Sequence, residues 1–598
     1  MEYIKLVETY EKIQNTSKRL EKIHIISEFI KQIVLKNNID NKKELEIIIN
    51  LLQGKIFQPW QKEKIGVSTK TVIKAIATSF GIRITTIENL WRTKGDLGIV
   101  AEELNNKKKQ STLFKINLDI FKIYNNLKKL ASIEGIGTFL EKNNLINELL
   151  TSSTPKESKY IVRTILEDLR VGVGEGILRD SILWAFFGDE LKIKYDDEKN
   201  IIVFDDNNRE KYDEYSKLIQ KAYNITNDFS KIIKIIKQDK IDGIKKVSIE
   251  LGKPIKSMLF QKAKDIKDGF KIVGKPAAFE YKYDGFRIQI HYNDGEIILF
   301  SRNLENITKQ FPDVVRYVKE SITTKNAILD AEIVGINLKN NQYMPFQSIS
   351  QRIKRKNNID EMAKKFPVEI NVFDIMFCDD KILLDEPFSI RRKYLSKVIE
   401  PKIRKIVLSR IIITDNEEEA NKFYNEALDL GEEGVMIKNL NAVYEPGSRV
   451  GYGVKLKPIM DSLDLVIVEA EWGEGKRTNS LTSFTLACIN ENNELLKIGK
   501  VSTGLKELES EGVTYSKMTE ILKPLILNEK GRVVILKPKI VIEVSFEEIQ
   551  KSTNYESGYA LRFPRFIRLR EDKGIYNVNN LNSIKENYFS QRNRNTNN

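Results

Sequence analysis

The segment Glu280–Arg287 (EYKYDGFR) places Lys282 directly before a predicted strand, with an arginine five residues further on. A lysine amine is a nucleophile only when deprotonated, and its ordinary pKa is ~10.4, so the neutral form costs about 4.6 kcal/mol at pH 7. Neighbouring cations or burial must supply part of that free energy. Arg287, Lys455 and Lys457 are the candidate neighbours, and these groups could also neutralise a phosphate under attack.

The pattern Lys-x-Asp-Gly is weak by itself, because it occurs at Lys240 as well as at Lys282. The copy at Lys240 closes a lysine-rich helical run and has Gln238 where the other copy has Glu280. Its glycine, Gly243, is typical of a helix end. We therefore interpret Lys240 as part of a helix terminus and look for other segments that support Lys282.

Catalysis must depend on Lys, Arg, Asp and Glu, because the chain has two cysteines and two histidines. Cys378 and Cys488 cannot build a disulfide framework or a four-cysteine zinc site. His24 and His291 exclude His-rich metal sites and argue against a Ser-His-Asp hydrolase. The net charge of +14 suits a polyanion-binding surface, although lysine is abundant throughout and compositional bias is the alternative.

The 598 residues exceed what one hydrophobic core organises, so we expect several domains. No stretch offers the ~20 uninterrupted apolar residues of a membrane span. The N-terminus lacks the apolar block of a secretion signal, and we expect a cytoplasmic location.

Three patterns follow one another along the chain. Up to about residue 245, apolar residues recur at helical spacing, as in Tyr3, Leu6 and Tyr10. From Phe286 the residues alternate, and Asn293-Asp294-Gly295 predicts the turn of a β-hairpin. Further strands are predicted in the middle region, at 327–336 and 368–377, and beyond about residue 459, at 463–470, 483–489, 497–502 and 539–546.

Six further segments follow Lys282 in an order that resembles the covalent nucleotidyltransferases, most closely the ATP-dependent DNA ligases of the archaeal and eukaryotic type. They are Phe300–Asn303, Leu329–Glu332, Val372–Asp374, Glu433–Lys438, Val454–Lys457 and the run from Arg562 to Lys573. The resemblance covers nearly the whole chain and implies that Lys282 is the nucleophile that accepts AMP.

The resemblance also implies a nucleotide pocket. Glu280 would accept a hydrogen bond from the adenine amino group, Arg287 and Glu332 would hold the ribose, and Phe373 would stack on the base. Taken singly, Phe373 would be a core residue of a buried strand. Phosphate ligands are implied at Arg302, Arg449, Lys455 and Lys457. Glu332 and Glu433 would hold Mg²⁺ or Mn²⁺, because hard cations prefer carboxylate and phosphate oxygens.

Three further sites are implied outside this pocket. A glycine loop with Arg170, Gly172, Gly174 and Gly176 would approach DNA phosphates. The basic residues Arg562, Arg565, Arg568 and Lys573 would face pyrophosphate during lysine adenylylation, with a general nucleic-acid patch as the alternative. Gln110, Leu113 and Phe114 resemble a sliding-clamp docking peptide, and a loop beside a helix is an equal alternative.

The resemblance implies three domains: an all-α DNA-binding domain over 1–248, an α+β adenylylation domain over 249–458, and a β-barrel OB-fold domain over 459–598 that ends in a polar, disordered tail. The implied enzyme is a monomer that uses ATP to seal nicks in duplex DNA during replication, recombination and repair. Lys282 takes AMP, passes it to a 5′-phosphate, and the 3′-hydroxyl then displaces it.

Other functions are compatible with the lysine motif alone. An NAD-dependent ligase carries, as a family, a four-cysteine zinc site that two cysteines cannot build. A capping guanylyltransferase would not need the helical N-terminal half. An RNA ligase and a catalytically silent DNA-binding scaffold stay open, as does the use of ADP, GTP or NAD in place of ATP.

Overall fold

Three regions succeed one another in the chain: a helical N-terminal region, a mixed middle region and a C-terminal region of short strands. The computed structural model describes residues 1–36, 42–61, 63–108, 117–133, 138–204, 208–339, 342–353, 358–458 and 462–591. None of the helices in these ranges has the length and apolar character needed to cross a membrane.

Helices make up most of the N-terminal region: α1 (Tyr3–Gln14), α2 (Arg19–Ile30), α3 (Lys42–Leu52), α4 (Thr69–Phe80), α5 (Ile84–Lys94), α6 (Leu97–Asn106), α7 (Ile120–Ser132), α8 (Phe139–Ser152), α9 (Pro155–Ile165), α10 (Glu175–Phe187), α11 (Asn208–Thr226) and α12 (Phe229–Lys245). An antiparallel pair, β1 (Lys194–Asp196) and β2 (Ile201–Val203), departs from the expected all-α composition. Local chemistry sets helix ends: Thr154 accepts from the Glu157 amide at 3.3 Å, and Glu157 accepts from the Thr154 amide at 2.8 Å, ahead of α9.

The second Lys-x-Asp-Gly copy lies within α12, which confirms that it is helical. The helix is interrupted at Lys240, whose φ is +51°, and it ends at Lys245. The predicted stop at Gly243 was therefore two residues early. Lys240 thus lies within a helix, whereas Lys282 is the last residue of a strand, Ala277–Lys282.

The middle region contains two β-sheets flanked by helices. Its elements are β3 (Leu259–Lys262), α13 (Ile266–Val273), β4 (Ala277–Lys282), β5 (Phe286–Asn293), β6 (Glu296–Ser301), α14 (Pro312–Ser321), β7 (Asn326–Asn337), β8 (Gln342–Met344), α15 (Phe346–Ile353), α16 (Ile359–Lys365), β9 (Val368–Cys378), β10 (Lys381–Ile382), α17 (Phe388–Val398), β11 (Ile406–Leu408), β12 (Ile411–Thr414), α18 (Glu417–Asp429), β13 (Gly434–Asn439) and β14 (Arg449–Leu456). One sheet has the order β10-β9-β7-β5-β6, and the other has the order β12-β4-β13-β14-β3. The predicted hairpin is confirmed as β5 and β6, joined where Asp294 and Gly295 adopt positive φ.

Each sheet has one apolar face that forms a core of its own. Behind β4, β13 and β14 lie Phe279, Val435 and Val454, packed against α13 and α18. A third apolar cluster, which includes Ile328 of β7 and Val450 of β14, joins the inner faces of the two sheets at one end. The remainder of those inner faces is polar, and it carries the candidate site.

The C-terminal region is built on short strands, as predicted. Its elements are β15 (Leu463–Trp472), β16 (Leu481–Ile489), β17 (Leu495–Val501), α19 (Tyr515–Leu522), β18 (Ile526–Lys530), β19 (Val533–Leu536), β20 (Val541–Ser545), β21 (Glu548–Lys551), β22 (Tyr559–Arg562), β23 (Arg565–Leu569) and α20 (Leu581–Ser590). The main sheet has the order β17-β16-β15-β19-β18, and β20 pairs with both β15 and β23.

Packing divides the chain into two compact units, each made of segments that are not consecutive in the sequence. One unit combines residues 5–65 with 171–458, and the other combines residues 66–170 with 459–598. In the second unit, Arg92 of α5 pairs with Glu529 of β18 at 2.8 Å, and Arg170 pairs with Glu474 at 2.5 Å. These ion pairs link helices and strands that are far apart in sequence.

Gly434 is the first residue of β13, and the neighbouring strand β14 packs closely against it. Its φ is +135°, and an added Cβ would lie 2.1 Å from the carbonyl oxygen of Leu456. We expect Gly434→Ala to destabilise this unit by about 2–3 kcal/mol and to lower its melting temperature by roughly 4–12 °C. Calorimetry measures this shift. Gly451→Ala in β14, where a Cβ would meet nothing within 4 Å, is the control, and an equal melting temperature for both variants would contradict the prediction.

Candidate active site

The inner face of the β12-β4-β13-β14-β3 sheet brings together residues from four strands. Glu280, Met436, Lys455 and Lys262 lie opposite one another across β4, β13, β14 and β3. Directly paired residues project to the same face of a sheet, and so do residues two apart in one strand. Lys282 therefore shares this face, and the sequence separation of up to about 190 residues is closed by strand pairing.

Lys282 is held by a carboxylate. Its Nζ donates to Glu433, and Lys457 binds the same carboxylate oxygen of Glu433 at 2.7 Å. The Glu433 amide also donates to the Lys282 carbonyl at 2.9 Å, which fixes the two residues across the strand ends. The structure thus brings together the predicted nucleophile, one predicted metal ligand and one predicted phosphate ligand.

The expectation that cations hold the pKa of Lys282 down is not met in the ligand-free protein. Burial favours the neutral amine, but the carboxylates of Glu433 and Glu332 outweigh burial and raise the pKa of Lys282. The Glu433 carboxyl is buried, yet Lys282 and Lys457 lower its pKa to about 2. In this state Lys282 is a protonated ammonium.

Glu332 is the second carboxylate at the nucleophile. Burial raises its pKa to about 8, and Glu433 adds to the rise while Lys282 and Arg287 oppose it. Among the described residues its side chain accepts no hydrogen bond. Burial and the charge of Glu433 thus disfavour the ionised form of Glu332 beside Lys282, and a divalent cation with phosphate oxygens would stabilise both carboxylates.

Arg287 is anchored by Asp330, which the sequence analysis did not single out. The guanidinium binds Asp330 through two hydrogen bonds of 3.0 and 2.5 Å and donates to the Met258 carbonyl at 3.0 Å. Tyr444 also donates to Asp330, at 2.9 Å. Asp330 and Tyr444 raise the pKa of Arg287 although burial alone would lower it, so this cation is permanent. The Leu329–Glu332 segment was recognised from the sequence, but the alternation of residues does not predict whether Asp330 or Glu332 binds Arg287.

Phe373 owes its position to a β-bulge in β9. Asp330 pairs with Asp374 and Ala331 pairs with Val372, which leaves Phe373 as the extra residue. Its half-buried ring lies 5.3 Å from the guanidinium of Arg287 and 5.1 Å from the Nζ of Lys438. Phe373 therefore lines the polar cleft, and its stacking on a base stays a prediction.

Glu280 is almost fully buried, with 1% exposure, and is surrounded by donors. Ser409 donates to its Oε1 at 2.8 Å, Arg392 lies 3.3 Å from the same oxygen, and Lys438 pairs with Oε2. Sequence reasoning missed all three donors as partners. Lys438 closes a recognised segment and could have been found there, whereas nothing in the sequence connects Arg392 or Ser409 to Glu280.

The predicted phosphate ligands fall into two groups. Lys455 and Lys457 stand at the end of β14 next to Lys282, and the charge of Arg302 acts on Lys455. Arg302 is exposed and makes no ion pair with another described residue. Arg449 is exposed at the first position of β14, opposite Leu259, whereas Lys455 lies opposite Lys262, three residues or about 10 Å further along β3.

The glycine loop lies before α10. Gly172 has a φ of +70°, and the Nζ of Lys22 approaches within 2.8 Å of where its Cβ would be. Gly174 precedes the first turn of α10 and Gly176 lies in that turn, with Arg19 nearby. Free amides of a helix N-terminus beside two cations suit a phosphate.

Arg170 is committed to protein acceptors in its own unit. It donates to the Gly95 carbonyl at 2.6 Å and binds Asp168 at 2.6 Å and Glu474 at 2.5 Å. Arg532 binds Glu474 as well. In this structure Arg170 ties a helical loop to the strand region.

The basic run at the C-terminal strands is also paired. Arg562 binds Glu548 at 3.0 Å, and Arg568 binds Glu543 at 2.6 Å. Lys573 binds Asp464 at 2.7 Å. Arg565 is exposed at the start of β23 and has no ion-pair partner among the residues described.

Comparison with known families agrees with this arrangement. Residues 2–183 match the family "DNA ligase N terminus", residues 257–457 match "ATP dependent DNA ligase domain", and residues 477–573 match "ATP dependent DNA ligase C terminal region". The chain belongs to the ATP-dependent DNA ligases. The helical, nucleotidyltransferase and C-terminal β domains expected from the sequence are thereby confirmed at this level.

Similar proteins span the full length of the enzyme. A DNA ligase of Nanoarchaeum equitans is 42% identical over 595 residues, covering 99% of each chain. A DNA ligase of Thermococcus fumicolans is 38% identical over 592 residues, again covering 99% of each. The solved structure Pmar-Lig_Pre is similar with a TM-score of 0.54 at 17% identity, over 95% of this chain and 99% of that one, which supports the fold.

Two predicted features lie outside the residues that the structure describes. They are the clamp-like segment with Gln110, Leu113 and Phe114, and residues 592–598 of the polar tail.

The predicted metal ligands do not form a complete site by themselves. Within the described ranges, three or more His, Cys, Asp or Glu side chains do not come together as a ready-made metal cluster. A metal at Glu332 and Glu433 would need substrate oxygens to complete its ligand set.

Glu433→Gln should lower the pKa of Lys282, because it removes the strongest of the interactions that raise it. The neutral fraction of the amine at pH 8 should rise roughly tenfold or more, and with it the rate at which a small amine-reactive reagent labels Lys282. Peptide mass spectrometry of the ligand-free enzyme measures this rate. Lys240 is the internal control and should label equally in both proteins, while an unchanged rate at Lys282 would contradict the assignment.

Proposed function

We propose that Lys282 is the nucleophile with which this enzyme seals nicks in duplex DNA. The observation that carries the proposal is that Lys282 and Lys457 share the Glu433 carboxylate while the charge of Lys455 acts beside them. It is supported by full-length similarity to archaeal DNA ligases. Two lysines on one carboxylate, with a third lysine close by, form a site that suits the negative charge of a polyphosphate.

The proposed reaction has three displacements at phosphorus. The Lys282 amine attacks the α-phosphorus of ATP, forming a P–N bond as the bond to the pyrophosphate oxygen breaks. A 5′-phosphate oxygen at the nick then attacks the same phosphorus, which breaks the P–N bond and joins AMP to the DNA. The 3′-hydroxyl attacks the 5′-phosphorus last, loses its proton, and releases AMP as the phosphodiester forms.

Glu280, Arg287, Glu332 and Phe373 are proposed to orient the nucleotide. The ring of Phe373 would stack on adenine, and the buried Glu280 would accept from the adenine amino group. Arg287, fixed by Asp330, would hold the ribose together with Glu332. A pocket that is held by buried ion pairs positions the α-phosphate without reorganisation at the moment of attack.

Glu332 and Glu433 are proposed to hold Mg²⁺ or Mn²⁺. The two carboxylates fit such an ion because they are oxygen donors that repel one another in a half-buried cleft. When bound, the ion would neutralise carboxylate and phosphate charge. With Glu433 engaged in this way, its attraction for the ammonium of Lys282 would weaken, and burial would favour the neutral amine.

The remaining sites are proposed to serve the polynucleotide. The C-terminal strands would form an OB-fold, the loop with Gly172, Gly174 and Gly176 would bind DNA phosphates, and Arg170 would join them on release from Glu474. Arg302, Arg449, Lys455 and Lys457 would bind the phosphates of the substrate. The basic set that would face pyrophosphate is Arg562, Arg565, Arg568 and Lys573. We also propose that the domain boundaries lie near residues 248 and 458 and that the enzyme is a monomer.

Lys282→Ala should abolish covalent labelling by ATP that carries the label on its α-phosphate, because the acceptor nitrogen is gone. A denaturing gel after incubation with Mg²⁺ detects the adduct. Lys240→Ala, which removes the lysine of the second Lys-x-Asp-Gly copy, should label like the unmodified enzyme. Label that persists in Lys282→Ala would overturn the assignment, and absence of label in the unmodified enzyme would point to a silent scaffold.

A sliding clamp is the proposed partner of the segment around Gln110. The double variant Leu113→Ala/Phe114→Ala should weaken binding to the purified clamp of the same organism by roughly tenfold or more, because apolar anchors dominate such short contacts. Isothermal titration calorimetry measures the affinity. Lys107→Ala serves as the control outside the segment, and equal affinities for all three proteins would remove the clamp from the proposal.

A further inference from the structure

Arg392 of α17 contacts both sheets beside the residues proposed to bind adenine. Its Nη1 lies 3.3 Å from Oε1 of Glu280 on β4 and 3.4 Å from the carbonyl oxygen of Val372 on β9. The guanidinium also donates to the hydroxyl of Ser409 at 2.9 Å and to the carbonyl of the same residue at 2.5 Å. Val372 directly precedes the bulged Phe373, so one guanidinium joins the strand that carries Glu280 to the strand that carries Phe373.

Each buried acid at this end of the cleft has its own cation. Arg392 and Lys438 bind Glu280. Arg391, the adjacent residue of α17, binds both carboxylate oxygens of Asp374 on β9, at 2.7 and 3.0 Å. Because buried carboxylates require such partners, two neighbouring arginines of one helix hold an acid of each sheet. Arg392 is the one that holds the proposed base acceptor.

The partners of the Glu280 carboxylate leave one of its oxygens able to accept another hydrogen bond. Each carboxylate oxygen has two lone pairs. Ser409 and Arg392 both donate to Oε1, whereas among the described residues Oε2 is bound by Lys438. Lys438 also lies 5.1 Å from the centre of the Phe373 ring, which places Oε2 on the side of that ring. Oε2 is therefore the oxygen available to a base stacked on Phe373.

We propose that Arg392 is a positioning residue that makes the enzyme select ATP over GTP, by fixing Glu280 relative to Phe373. This inference rests on the proposed roles of Glu280 and Phe373 in binding the base. Adenine carries an amino group that donates to a carboxylate, whereas guanine carries a carbonyl oxygen at the same ring position, which a carboxylate repels. A carboxylate that is free to turn away would lose part of this discrimination.

Arg392→Gln removes the charge and the two-pronged contact. We expect formation of the Lys282 adduct at sub-saturating ATP to slow roughly tenfold, with little change at saturating ATP, because the base is held less firmly while the nucleophile is intact. The preference for ATP over GTP should also fall roughly tenfold. We define this preference as the ratio of the unlabelled GTP and unlabelled ATP concentrations that halve adduct formation from labelled ATP. The ratio does not depend on the amount of folded enzyme.

Glu280→Gln tests whether Arg392 acts through Glu280. The double variant Arg392→Gln/Glu280→Gln should have the ATP preference of Glu280→Gln alone, because the carboxylate that Arg392 positions is already gone. Arg392→Lys keeps the charge and should restore part of the preference. Lys393→Gln removes an exposed charge from the next position of α17 and should match the unmodified enzyme.

Three results would overturn the inference. They are an unchanged ATP preference in Arg392→Gln, even where its stability falls; losses from Arg392→Gln and Glu280→Gln that combine in full in the double variant; and an unmodified enzyme that GTP inhibits as strongly as ATP does. Failure of the unmodified enzyme to form any adduct with ATP would instead overturn the proposed function of Lys282.

Discussion

The ion pair between Lys282 and Glu433 is the contact on which the state of the active site depends. It holds the amine protonated in the ligand-free enzyme, and Lys457 holds the same carboxylate from its other side. A buried ammonium is tolerated only with such a partner, because burial alone would favour the neutral form. In the proposed reaction, the Lys282 amine would become nucleophilic only when other charges engage Glu433.

The cleft around this ion pair forms because each of the two sheets has one apolar face and one largely polar face. Their outer faces are apolar and carry separate cores, while a third apolar cluster joins the inner faces at one end. Buried acids such as Asp330 and Glu280 are tolerated in the cleft because each has charged or hydroxyl donors. These donors hold the two acids in defined positions.

The second unit shows that packing does not follow chain order. Arg170 and Arg532 share Glu474, so the loop after α9 and the strand region are tied at one carboxylate. Gly95 is close-packed there, since an added Cβ would lie 2.6 Å from the Thr478 hydroxyl. An arginine expected to contact DNA is occupied by the protein itself in this structure, which makes its availability conditional on releasing Glu474.

The sequence by itself predicted the family and the order of helical and β regions, and both are confirmed, because local spacing and segment order encode them. Alternation predicted β5, β6, β7 and β9 but not β8, and the context of Lys282 singled it out over Lys240 as the proposed nucleophile. Only the tertiary structure decided that a bulge turns Phe373 into the cleft, that Asp330 rather than Glu332 binds Arg287, and that Arg392 and Ser409 surround Glu280. It also decided the sign of the pKa shift of Lys282. Strand register and close charge pairs join residues that are distant in the chain, and no local pattern records those distances.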